Sequence, residues 1–121
     1  MSDPIIAAAR RSAVIPRGGA FRALQIHELA APVIAALLDD AGIAPDQVDE
    51  VILANALGAG GNPARVAALA AGLPQRVAGL SIDRQCCGGM DAVVLADAMI
   101  RAGHCDVVVA GGAESYSRRP L

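Results

Sequence analysis

The residues with the most chemical potential are two adjacent cysteines in the run SIDRQCCGGMDAVV, residues 81–94. An apolar run ends, the chain turns, and Cys86 and Cys87 arrive just before a predicted helix. Gly88 and Gly89 free the turn of side-chain bulk and let another group approach the backbone. A helix N-terminus carries unpaired N–H groups and the positive end of the helix dipole. A thiol placed there ionises more easily than a free thiol of pKa about 8.5. The same N–H groups suit an oxyanion formed when a thiolate attacks a carbonyl. The pattern parallels the strand–turn–helix elbow that presents a nucleophile in hydrolases. On physics alone Cys87 claims this role as well as Cys86, and a small buried packing role fits a cysteine equally. Cys105 follows Gly103 at the start of a strand and reads as packing.

A nucleophilic thiol needs a base. His27 falls in the first predicted helix. His104 falls beyond the end of the third, about 20 Å from Cys86 along a straight helix at 1.5 Å per residue. Neither spacing pairs with Cys86, so a catalytic site built from these residues alone is incomplete. Three cysteines are an odd number, which argues against a disulfide framework. Neighbouring Cα atoms, about 3.8 Å apart, are closer than ordinary disulfides allow. There is no CxxC and no paired histidine spacing, so no metal site is expected.

The elements that position these residues alternate in type. Pro4–Ala9 reads as a short buried strand. Gln25–Asp40 reads as a helix, with Ile26, Leu29, Ala30, Val33, Ile34, Leu37 and Leu38 near helical spacing, stopped by Gly42 and Pro45. Val48–Ala56 is the next strand. Asn62 suits an N-cap and Pro63 the first helical position, giving a helix to about Ala71. Leu80–Asp83 is a strand, Gly88–Ala102 a helix, and Val107–Ala110 a strand. This order predicts an α/β fold, helices layered on a mostly parallel sheet, in one domain, or a part of one, over 1–121. From Met90 to Arg101 the only polar residues are Asp91, Asp97 and Arg101. A helix so apolar is covered on more than one side, whereas a surface helix has a full polar face.

Other classes fit poorly. The 121-residue chain is 55% hydrophobic with formal net charge −2, and its only aromatics are Phe21 and Tyr116. Scattered arginines and no aromatic platform argue against a nucleic-acid partner. The apolar stretches fall short of the roughly 18–20 residues of a membrane span. The opening lacks the charge order and length of a signal peptide, so a cytoplasmic protein is expected. Gly58-Ala59-Gly60 starts like a dinucleotide fingerprint, but Pro63 stands where a glycine belongs. Gly111–Ser115 lacks the G-K-[ST] of a phosphate loop.

IIAAARRSAVIPRGGAF (5–21), GNPARVAALAAGLP (61–74) and VAGLSIDRQCCGGMDAVVLADAMIRAGHCDVVVAGGAESYSRRP (77–120) together resemble the N-terminal part of thiolases, the acetyl-CoA acetyltransferases and 3-ketoacyl-CoA thiolases. The resemblance covers essentially the whole chain in order. It implies a layered thiolase-like fold of which this is the N-terminal half only. It implies that Cys86 is the acylated nucleophile, matching the Cys of N-x-x-C-[SA]-S-G-[LM], and that its backbone N–H helps form an oxyanion hole. Cys87 stands where the family usually has Ser or Ala, Gly88 where it has Ser, and Asp83 where Asn is frequent. The implied reaction is reversible Claisen condensation and thiolysis of 3-ketoacyl-CoA, with coenzyme A thioesters as substrates and no cofactor. The family's base His, second Cys and coenzyme A-binding loop domain lie later in its sequence, so the missing base is expected. The resemblance also explains the apolar third helix, which the family packs between two similar halves. The expected partners are acyl-CoA and either a second copy of the chain or a complementary C-terminal thiolase half. Rival expectations are a truncated inactive product, a non-catalytic thiolase-like subunit that binds a partner, a decarboxylating ketoacyl synthase, against which the NPAR segment argues, and an unrelated α/β module with a structural Cys86.

Overall fold

The computed structural model describes residues 3–119. Three parallel strands form its sheet: β1 (Glu50–Ala54), β2 (Ala78–Ile82) and β3 (Val108–Gly112), in the order β2-β1-β3. Ile52 pairs with Leu80 on one side and Ala110 on the other, so β1 is the central strand. Its run Val51-Ile52-Leu53 is buried on both faces, as a central parallel strand requires.

Strand alternation sorts the side chains into two cores. Val51, Leu53 and Val109 face a layer made by α1 (Ile26–Ala41) and α2 (Pro63–Ala70), packing with Ile34, Leu38 and Ala67. Ile52, Val108 and Ala110 face the opposite way onto Ala92, Ala96 and Met99 of α3 (Gly88–Arg101). The result is helix, sheet, helix. Ile52, Val48, Val51 and Val77 are fully buried, and each contributes about 1.5–3 kcal/mol through its burial.

Local signals set the helix ends. Glu28 Oε1 accepts the Gln25 N–H at 3.0 Å as α1 begins. Gly42, at φ 67°, closes α1: its N–H reaches Asp39 O at 3.2 Å and the Ile43 N–H reaches Leu38 O at 3.0 Å, the left-handed stop that glycine allows. Pro32 lies inside α1. It removes one helical donor, yet the helix continues because Ile26, Ala30, Ile34 and Leu38 are buried along one face. Asn62 caps α2 by accepting the Arg65 N–H at 3.2 Å, and its Nδ2 donates to Gly79 O of β2 at 2.9 Å.

Several sequence expectations change. Residues 4–9 form no strand, and Ile5 and Ile6 are 84% and 80% exposed. A strand exists only through ladder partners, and β1, β2 and β3 pair among themselves. Residues 10–16 line a groove of about 380 Å³ together with residues of α1 and β3. The N-terminal segment forms no ladder with the sheet. It is tethered by ion pairs, Arg10 to Asp40 and Asp3 to Arg101. The second change is that β2 begins at Ala78, two residues before the apolar alternation suggested, because Asp49 O draws the Ala78 N–H at 3.3 Å as the ladder opens. α3 is covered by the sheet on one side only: Met90, Val93 and Val94 are exposed.

Asp49 staples the start of β1 to the start of β3. Its Oδ2 accepts the N–H groups of Asp106 at 2.8 Å and Val107 at 3.0 Å. Those two backbone donors hold its carboxyl below the usual carboxylate range, against the opposing effect of burial. The unfolded carboxyl titrates near ~3.9, so this stabilisation is complete above about pH 4 and is lost as pH falls through the lower folded value. Burial shifts Glu50 the other way; its carboxylate costs no stability at low pH, and the cost appears as pH rises through its raised folded value. Asp49→Asn leaves Glu50 in place and isolates the Asp49 part. Thermal unfolding across pH 3–7 is expected to give the variant a midpoint a few degrees lower at neutral pH and a flatter fall on acidification. Superimposable acid limbs would show that the staple carries no pH-dependent stability.

Candidate functional site

Five residues, Asp83 to Cys87, separate β2 from α3. Asp83 Oδ1 accepts the Gln85 N–H at 2.9 Å, the local turn an Asp side chain favours. Gln85 sits at φ 49°, the one non-glycine residue with positive φ among the described residues. A residue without glycine's freedom is held in this region only when its surroundings over-determine it. Here the turn does so: the Cys87 N–H donates to Arg84 O at 3.1 Å and the Gly88 N–H to Gln85 O at 3.2 Å. Gln85 thus turns the chain one residue ahead of Cys86, and Cys87 stands as the N-cap of α3 without a side-chain cap bond.

Cys86 and Cys87 are both free and exposed, and Cys105 is buried. Burial, followed by the negative charges of Glu50, Asp49 and Asp106, pushes the Cys105 thiol up. Its burial agrees with a packing role. The amides of Cys87 and Gly88 are engaged by the turn, so neither is available to an oxyanion in this conformation.

α3 reaches this position through close backbone approach. A Cβ on Gly88 would lie 2.6 Å from the Ala54 Cβ at the carboxyl end of β1. A Cβ on Gly112, at the end of β3, would lie 3.5 Å from Ala54 O and 3.9 Å from the Gly89 Cα. The start of α3 is thus seated over the carboxyl ends of β1 and β3, where parallel α/β sheets present their sites.

Two further residues shape this end of the sheet. Asn55 Nδ2 donates to Ala113 O at 3.0 Å and to Glu114 Oε2 at 2.8 Å. Glu114 Oε1 also accepts the Ala56 N–H, and the Leu57 N–H at 3.3 Å. Together they tie the loop leaving β1 to the loop leaving β3. Both stand just past apolar strands, where a polar side chain is free to bond exposed backbone; that is a weak signal, and spacing alone does not pair residues so far apart.

The histidines do not join Cys86. His104 lies past the far end of α3, its N–H bonded to Met99 O at 3.0 Å. His27 lines a cleft of about 330 Å³ with Gln25, Gly58, Gly60, Ser115 and Arg118, which does not include Cys86. The geometry offers an exposed thiol at a strained turn on a helix N-terminus, without a base from either histidine.

Gly88 and Gly89 provide a paired test. Gly88→Ala forces a methyl into Ala54, which has no flexible far end to yield, and is expected to lower stability by about 1–3 kcal/mol. Gly89→Ala meets nothing within 4 Å and is expected to be neutral or to stabilise by up to about 1 kcal/mol. Urea unfolding of both variants checks this; equal effects would mean that α3 is not seated on β1 as described.

Comparison with known proteins gives a consistent set of similarities. The family description "Thiolase, N-terminal domain" matches residues 4–121. An acetyl-CoA acetyltransferase of Cupriavidus necator is 46% identical over 122 residues, covering 99% of this chain and 31% of its own length. A probable acetyl-CoA acyltransferase of Staphylococcus aureus is 37% identical over 123 residues, again covering 31% of its length. The crystal structure of the Bacillus anthracis acetyl-CoA acetyltransferase superposes with a TM-score of 0.96 at 43% identity, over 99% of this chain and 31% of that one. The chain therefore spans about a third of the length of the curated relatives it matches.

Proposed function

Because the chain belongs to the thiolase family through its N-terminal domain, we propose that it supplies the acyl-accepting half of an acetyl-CoA C-acyltransferase site, with Cys86 as the nucleophile. The Cys86 thiolate attacks the carbonyl carbon of an acyl thioester, the carbon–sulfur bond to coenzyme A breaks, and coenzyme A leaves as its thiol. The carbanion of a second acetyl-CoA then attacks the acyl-cysteine and returns the thiolate. In reverse, coenzyme A cleaves a 3-ketoacyl chain. No cofactor takes part beyond the coenzyme A thioesters that serve as substrates. The base, the second cysteine and the coenzyme A-binding surface belong to polypeptide beyond these 121 residues, in a longer chain or a partner.

The observation that carries this reading is the exposed Cys86 at the strained turn, on a helix N-terminus seated over the carboxyl ends of β1 and β3. Both histidines lie apart from that turn, which supports a base from elsewhere. The test is mass spectrometry of the chain after incubation with acetyl-CoA, alone and with a C-terminal thiolase half. Alone, the chain is expected to show no acetoacetyl-CoA cleavage. With the complement, Cys86 takes one acetyl group, and Cys86→Ser lowers turnover by about a thousandfold or more. Acetylation at Cys87, turnover surviving in Cys86→Ser, or cleavage by the chain alone that Cys86→Ser abolishes would overturn the proposal.

A second reading, a non-catalytic subunit that binds a partner half, is favoured by the bare face of α3, where Met90 and Val94 are 75% and 59% exposed. Both readings require that face to be covered, and contiguous apolar surface of this kind drives association. The chain on its own is expected to self-associate in light scattering, and Val94→Lys to weaken that association. A monodisperse monomer for the unaltered chain would count against a covered α3.

A further inference from the structure

The turn that carries Cys86 carries a second thiol beside it, and the two have no ordinary way to bond to each other. Consecutive Cα atoms lie about 3.8 Å apart, inside the roughly 4.4 Å lower bound of unstrained disulfides. The peptide between them is also held. The Cys87 N–H donates to Arg84 O at 3.1 Å, the Gly88 N–H to Gln85 O at 3.2 Å, and the Asp91 N–H to Cys87 O at 3.0 Å. Closing a sulfur–sulfur bond would twist this unit against all three. One additional atom that bonds both sulfurs eases that demand, because the sulfurs need not close to the roughly 2.05 Å of a direct bond. The neighbourhood has room for such an atom and its substituent: both thiols are exposed, and a Cβ on Gly89 would meet nothing within 4 Å.

We infer that Cys86 and Cys87 form a two-sulfur clamp for trivalent thiol-seeking arsenic, the class of monosubstituted arsenic(III) oxides. The arsenic–oxygen double bond condenses with two S–H groups. Two arsenic–sulfur bonds form, and the oxygen leaves as water carrying both thiol protons. Arsenic stays trivalent, and nothing is oxidised or reduced. Once one sulfur has bonded, the second attack is intramolecular and runs at the high effective concentration of a linked site. The chelate therefore outlasts any adduct on a single thiol, which a competing monothiol exchanges away.

The other candidates for this site fit less well. Zinc takes four ligands in a structural site, and among the described residues no group of three or more His, Cys, Asp or Glu side chains gathers to hold a metal ion. A monosubstituted arsenic needs only two sulfurs, since its own substituent fills the third valence. Cys105 is buried, so the clamp is confined to the turn. Cys87 stands where the thiolase pattern usually has Ser or Ala, so the second sulfur is not part of that pattern. The capture requires both thiols free, and it does not depend on whether Cys86 serves as the acyl-accepting nucleophile.

The test uses the reduced chain and one equivalent of phenylarsine oxide, followed by excess 2-mercaptoethanol and then dithiothreitol, with intact-mass and thiol-count readouts. One phenylarsenic group per chain is expected, with two of the three thiols lost to Ellman's reagent. The adduct should survive the monothiol and release with dithiothreitol. Cys86→Ser and Cys87→Ser should each lower retention through the monothiol by about a hundredfold, while Cys105→Ser retains the adduct in full. Retention by Cys87→Ser equal to the unaltered chain, or its loss in Cys105→Ser, would overturn the clamp. Peptide mapping that places the arsenic anywhere other than across Cys86 and Cys87 would do the same.

Discussion

The close seat of α3 on the carboxyl ends of β1 and β3 is the constraint on which the rest depends. Gly88 lies where any side chain would strike Ala54, and Gly112 leaves the matching space beneath Gly89. This contact fixes where the helix begins, and so where the turn before it must fold. Gln85 takes its left-handed conformation because only five residues connect β2 to a helix whose start is already determined. The exposure of Cys86 and Cys87 follows from that geometry. A longer connection would relax Gln85 and leave the thiols without a defined place.

The sheet is held at both ends by side-chain bonds to backbone. Asp49 ties β1 to β3 at their starts, and Asn55 with Glu114 ties the loops that leave them. Between those ties lie three strands of five residues each. Parallel ladders this short gain little from their own hydrogen bonds, so the end ties and the two apolar cores supply the rigidity that holds the turn before α3 in place.

Much of this was legible in the residues. The strand–helix alternation, the Asn62–Pro63 helix start, the Gly42 stop and the Cys-bearing turn are local signals, and each found its element in nearly the expected place. The third helix was legible as a helix, but the second cover that its apolar composition suggests is not seen among the described residues, where Met90, Val93 and Val94 are exposed. What failed was Pro4–Ala9, where a short apolar run satisfies a strand pattern but cannot name a partner. The Asn55–Glu114 clamp was hidden for a related reason: it joins residues that only the folded sheet brings together. Spacing does not choose between the two adjacent thiols, because both sit at the same helix start; the preference for Cys86 rests on the resemblance to thiolases alone.

The position of β1 at the centre of the sheet carries a consequence for how the molecule forms. Both of its ladder partners come later in the chain, and the bond from Asp49 to Asp106 closes a separation of 57 residues. On a ribosome, the most apolar strand of the sheet would emerge well before either neighbour exists to pair with it. Such non-local pairing folds slowly, because chain entropy is lost before the contacts form. During that interval Val51 and Leu53 have α1 and α2 for shelter, whereas Ile52, on the other face, stays uncovered until α3 docks.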